Sequence, residues 1–124
     1  MENKIIESSC HCGAVKLEIK GEVPETLTSC NCSFCLRSGG LMAYYSPSQV
    51  KLLAEPGATS DYIWGDKDLA HVRCSHCGSL SHWRSLNKEH MDRMGINARL
   101  FTNIDWTKIR IRHFDGADTW KFLD

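Results

Sequence analysis

Apolar and polar positions alternate with a two-residue period along much of the chain. Val15, Leu17 and Ile19 alternate with Lys16, Glu18 and Lys20, which predicts a half-buried strand ending at Gly21. Two apolar runs, Met42–Tyr45 and residues 50–53, bracket Ser46-Pro47-Ser48-Gln49, a segment suited to one helical turn. Tyr62-Ile63-Trp64 predicts a short strand closed by Gly65-Asp66. Residues 69–73 lead into Cys74, residues 80–84 lead away from Cys77, and residues 93–101 and 108–114 complete the set. In the last run Ile109, Ile111 and His113 share one face, while Lys108, Arg110, Arg112 and Phe114 share the other. Pro56-Gly57 is the clear turn dipeptide. Only residues 87–94 suggest a short helix, which Gly95 would stop. The expected fold is mainly β, small antiparallel sheets with little helix.

A chain of 124 residues fits a single domain spanning 1–124, since domains most often hold about 100–150 residues. A small β domain of this size buries a limited core, so metal crosslinks would add needed stability. No apolar run approaches the ~18 residues of a spanning helix, and the N-terminal residues lack the apolar core of a secretory signal. The expected location is therefore cytoplasmic, with no membrane partner. Lys and Arg total 15 against 15 Asp and Glu. That balance speaks against nucleic acid as a partner, because such binding rests on excess cations facing phosphates.

Cysteine changes the picture. There are 7, an odd number, in a compartment where thiols stay reduced. Clustered cysteines there are more often metal ligands than disulfides. They fall into three groups: Cys10-His11-Cys12-Gly13, Cys30-Asn31-Cys32-Ser33-Phe34-Cys35 and Cys74-Ser75-His76-Cys77-Gly78. Cys74 and Cys77 have the spacing of a zinc knuckle, with Gly78 free to take the positive φ such a turn often requires. A closed structural zinc needs four ligands, and Cys10 and Cys12, followed by Gly13, complete the set best. The competing readings are a redox pair, whose usual βαβ setting is absent, and buried free thiols.

Cys30, Cys32 and Cys35 remain in one short loop. Three thiolates leave a tetrahedral position open, the arrangement of a catalytic zinc. A zinc bearing three thiolates is a weak Lewis acid suited to a soft sulfur ligand, and a thiol entering there would be held as thiolate. By spacing alone two further readings stand beside this one: a second structural zinc closed by a histidine, or reactive thiols without metal.

Taken together, the CxC, CxCxxC and CxxCG clusters in this order resemble the glutathione-dependent formaldehyde-activating enzyme family, which also includes centromere protein V. The resemblance runs from about Ser9, through Gly39-Gly40, to the tail around Trp120. It implies a β-tent fold around zinc, a structural zinc on Cys10, Cys12, Cys74 and Cys77, and a catalytic one on Cys30, Cys32 and Cys35. It also implies a carbon–sulfur lyase that forms or splits S-hydroxymethylglutathione, the adduct of glutathione with formaldehyde, or a related small-thiol adduct. Two other classes compete: a zinc-stabilised binding module without catalysis, and a thiol redox sensor built on the second cluster.

Of the other residues, His11 and His76 read as supporting or solvent-facing side chains, since four thiolates already fill the first site. His71, His82, His90 and His113 lack ligand spacing, and each reads more simply as an ordinary strand or surface histidine than as an acid or base. Arg37 reads as solvated, with pairing to a substrate carboxylate as its functional alternative. Trp64, Trp83, Trp106, Trp120 and Tyr44-Tyr45 could line a pocket, but in a small β domain most are expected to be core.

Overall fold

The structure is a computed structural model that describes residues 5–124; the first residues of the stretch read for a secretory signal lie outside it. Ten strands and one short α-helix follow in the order β1 (Ile5–Ser9), β2 (Val15–Lys20), β3 (Thr26–Cys30), α1 (Ser33–Ser38), β4 (Met42–Tyr45), β5 (Val50–Ala54), β6 (Thr59–Ile63), β7 (Leu69–Cys74), β8 (Leu80–Ser85), β9 (Met94–Asn97) and β10 (Arg110–Phe114). The protein is mainly β, as the alternation predicts. Among the described residues no helix is long and apolar enough to cross a membrane.

Two sheets form. The smaller has the order β1-β2-β5 and the larger β10-β3-β4-β9-β8-β7-β6. Pairing is antiparallel throughout except between β10 and β3, where Arg110 to Phe114 run parallel to Thr26 to Cys30. Val15, Leu17 and Ile19 bury one face of β2, as expected. Ile6, Leu17 and Ile19 of the small sheet pack against Leu27, Ala43 and Ile96 of the large one. Each such side chain removed from water contributes roughly 1.5–3 kcal/mol. A second cluster gathers Val15 and Ala58 around Cys10 and Cys74.

Several expectations are met element by element. Ser46-Pro47-Ser48-Gln49 makes one 3₁₀ turn, with the Gln49 side chain accepting from the Ser46 backbone N–H at 3.0 Å. Others need correction. The helix expected over residues 87–94 is a single 3₁₀ turn, Lys88–His90, held by Asn87 accepting from the Glu89 N–H, and Met94 already belongs to β9. Eight residues without an apolar stripe had nothing to pack a helix against. The run over 93–101 ends as a strand at Asn97, whose side chain accepts from the N–H groups of Leu41 and Arg99 and so diverts the chain. The second cysteine cluster, expected as a loop, opens α1.

Candidate metal centres and the adjoining cavity

Cys10 follows β1 and Cys12 lies in the turn into β2; Cys74 ends β7 and Cys77 lies in the turn into β8. The two turns repeat one another. Gly13 donates to the Cys10 carbonyl at 3.1 Å and Gly78 to the Cys74 carbonyl at 3.0 Å. Gly13 has φ 86° and Gly78 φ 78°, the left-handed conformation that glycine adopts without strain. The turns bring the four sulfurs within 4.8 Å of one another, with Cys10 and Cys12 at 3.7 Å and Cys12 and Cys74 at 3.6 Å. Sulfurs at about 2.3 Å from a tetrahedral zinc stand about 3.8 Å apart, whereas a disulfide needs about 2.05 Å. None of the seven cysteines is paired in a disulfide.

Backbone donors surround this cluster. Val15 N–H points to Cys10 Sγ at 3.2 Å, and the N–H groups of His76 and Cys77 point to Cys74 Sγ at 3.4 Å each. Such bonds favour a thiolate. The Ser79 hydroxyl and backbone N–H hold Cys77 down at about 5, and the Cys77 N–H lowers Cys74. Cys12 goes the other way, to about 11: the Ala14 N–H lowers it, but hydrogen bonding to Cys74 and burial outweigh that pull. Four sulfurs this close cannot all ionise unless a cation sits among them. The donor set suits a metal ion and is compatible with zinc.

The second cluster is built differently. Cys30 is the last residue of β3, Cys32 is the N-cap of α1 with its sulfur accepting from Cys35 N–H at 3.3 Å, and Cys35 lies in the first turn. The three sulfurs also lie within 4.8 Å of one another and are half-buried. Burial pushes Cys35 far above the ordinary thiol range and raises Cys30. Burial also works against ionising Cys32, yet the N–H and thiol of Cys35 hold it below that range. This cluster too could hold a metal ion.

All three of these thiols line an open cavity of about 680 Å³, and none of the other four does. The volume is within the usual range of about 300–1,000 Å³ for small-molecule sites. Trp64, Trp83, Trp120, Tyr44 and Phe114 supply aromatic walls, so these tryptophans and Tyr44 take the pocket-lining alternative rather than the core position expected of most of them. Gly116 presses against the cluster, since a Cβ there would stand 2.5 Å from Cys30 Sγ. Its loop is fixed by Asn31, which donates to Asp115 at 3.0 Å and accepts from the Ala117 N–H at 3.0 Å.

His71 also lines the cavity. Its ring stacks on Phe34 at 4.0 Å, and Trp64 Nε1 donates to its Nε2 at 3.2 Å. Indole nitrogen only donates, so Nε2 must be the unprotonated atom and Nδ1 carries the proton. Among the described residues, Nδ1 of His71 is the one buried side-chain nitrogen or oxygen without a hydrogen-bond partner. Burial lowers the pKa of this ring. His82 is buried against the Ser81 hydroxyl, and His11, His76, His90 and His113 are exposed. Arg37 binds the Ser33 carbonyl of its own helix at 3.0 Å and is not on the cavity. Arg93, which the sequence did not mark, is.

A crystal structure of a Rhodobacter sphaeroides protein has the same fold, with a TM-score of 0.70 at 23% identity, covering 85% of this chain and 98% of that one. A family model described as glutathione-dependent formaldehyde-activating enzyme matches residues 5–114, a span that contains every cysteine. With the clusters in place and a match of that extent, the chain belongs to the glutathione-dependent formaldehyde-activating enzyme family.

Proposed function

We propose that the protein is a zinc-dependent carbon–sulfur lyase that forms and splits the adduct of glutathione, or another small thiol, with an aldehyde such as formaldehyde. Family membership ties the chain to glutathione-related formaldehyde chemistry. The finer reading is carried by the contrast between the clusters: three thiols face a cavity, and four are tied between two turns away from it. Cys10, Cys12, Cys74 and Cys77 would hold a structural zinc, and Cys30, Cys32 and Cys35 a second one. What zinc supplies at the three-thiolate site is stabilisation of a sulfur as thiolate at neutral pH.

The chain's own residues do the rest. The backbone of α1 fixes Cys32 and Cys35, and Gly116 leaves Cys30 its place. The aromatic walls hold the thiol beside the aldehyde carbon, which gains from proximity. In the synthetic direction the thiol first gives its proton to water, the sulfur lone pair then forms the C–S bond, the carbonyl π pair moves to oxygen, and that oxygen takes a proton back from water. In the lyase direction the hydroxyl gives its proton to water, the oxygen lone pair closes the C=O bond, and the C–S bond breaks with its pair to sulfur.

The test is exchange NMR with ¹³C-formaldehyde and glutathione on zinc-replete protein. Wild type is expected to speed interconversion of free and adducted formaldehyde above the buffer rate. Cys32→Ser should abolish that gain with an unchanged circular dichroism spectrum. Wild-type protein no faster than buffer would contradict the reading, and a reversible Cys–Cys bond in the second cluster would then favour redox sensing.

A further inference from the structure

Arg93 is a cation on the cavity wall, held over an aromatic ring. Its guanidinium lies over the Tyr44 ring at 4.1 Å, a cation–π contact. Tyr44 in turn meets Trp83 at 6.2 Å between ring centroids. These residues follow one another across three strands, because Tyr44 pairs with Gly95 and Gly95 with Trp83. Gly95 makes the platform possible: any Cβ there would collide with the Trp83 indole nitrogen. Yet among the described residues no carboxylate forms an ion pair with Arg93. Its donors are left for something else. Arg84, Arg110 and Arg112, by contrast, each bind an aspartate.

We propose that Arg93 on its Tyr44–Gly95–Trp83 platform is a carboxylate subsite, so that the thiols this protein accepts are those bearing a carboxylate. The inference deepens the proposed function and rests on it: the sulfur end of the ligand goes to Cys30, Cys32 and Cys35, and the carboxylate end goes to Arg93 in the same cavity. A planar guanidinium matches a carboxylate with two parallel N–H···O bonds. Tyr44, braced by Trp83, holds the guanidinium, so less rotamer freedom is lost on binding. The subsite selects for a carboxylate rather than for a tripeptide as a whole.

S-methylglutathione tests this independently of turnover, because its capped sulfur can form no adduct. Titration into zinc-replete protein is followed by tryptophan fluorescence, alongside its diethyl ester, which carries no carboxylate. Arg93→Met keeps a long unbranched apolar side chain and removes the charge, and is expected to raise the Kd of S-methylglutathione by about tenfold or more, the scale of one charge-assisted pair. Arg93→Lys should recover part of that loss. The ester should bind both the wild type and Arg93→Met equally weakly. Raising salt from low to high should weaken S-methylglutathione binding to the wild type and not to Arg93→Met. Equal affinity of wild type and Arg93→Met for S-methylglutathione would overturn the proposal, as would wild-type protein that does not bind it. Accelerated adduct exchange in the same preparation would show that the proposed function itself still stands.

Discussion

At the scale of single residues, Gly116 shows how closely the second cluster is fitted. A Cβ 2.5 Å from Cys30 Sγ forces either the sulfur or the Asn31–Asp115 loop to move. Overpacking of this kind costs about 1–3 kcal/mol. Gly116→Ala is therefore expected to lose metal from the second cluster and at least tenfold in adduct exchange, while retaining metal in the first. Retention of both metals and full exchange would contradict this. His71 makes a prediction of its own: long-range ¹⁵N–¹H NMR should find its proton on Nδ1, and Trp64→Phe should release the ring to a mixture of tautomers. His82 predicts a pH dependence. Burial, with a smaller push from Arg84, holds it down at about 4 against an ordinary 6.5. The unfolded chain then binds a proton that the folded protein refuses. His82's contribution is whole above about pH 6.5 and is lost as pH falls toward 4. By pH 5 the wild type should lose about 2 kcal/mol more than His82→Gln, measured by urea unfolding at fixed zinc. None of these roles could be read from sequence. Gly116, His71 and Arg93 lie far along the chain from the second cysteine cluster, and only strand pairing brings them to one cavity.

At the scale of elements, the cysteine turns were legible because their chemistry is local. Gly13 and Gly78 declare the same positive-φ turn twice, and each turn precedes a strand. Strands β2, β4, β5, β7, β8 and β10, and the end of β6, were legible too, from alternation or from short apolar runs. Helix α1 was not, because six residues offer no apolar period; its ends are set by the Cys32 cap and by Gly39 at φ 73°. Strand β3 was hidden for a similar reason, with Leu27 as its one buried residue. Position in the fold gives the two clusters different stakes. Cys10 and Cys12 leave the small sheet and Cys74 and Cys77 belong to a hairpin of the large one, so the four-thiol cluster joins the sheets. Cys74→Ser is expected to lower the Tm by more than about 10 °C, because structural metal contributes folding free energy directly. Cys32→Ser should shift it by only a few degrees. Equal shifts in thermal melts of the two variants would remove the distinction.

At the scale of the whole molecule, mainly β architecture followed from period-two patterning and the lack of a long helical period. The cavity did not follow, because it is assembled from β3, α1, β4, the loop between β6 and β7, β7, β8, β10 and the residues beyond β10. Its aromatic walls could not be told from core in sequence, because a tryptophan facing a ligand and one facing a neighbouring strand carry the same local pattern. The central claim is that one chain holds two metal sites of different kinds, one closed by four thiols and one left open by three. Zinc per chain, by elemental mass spectrometry on protein purified with zinc under reducing conditions, tests it most directly when Cys32→Ser is measured beside the wild type. The account predicts about two zinc ions in the wild type and about one in Cys32→Ser. One zinc in both would mean that the cavity cluster holds no metal of its own, and the account of the open site would be wrong.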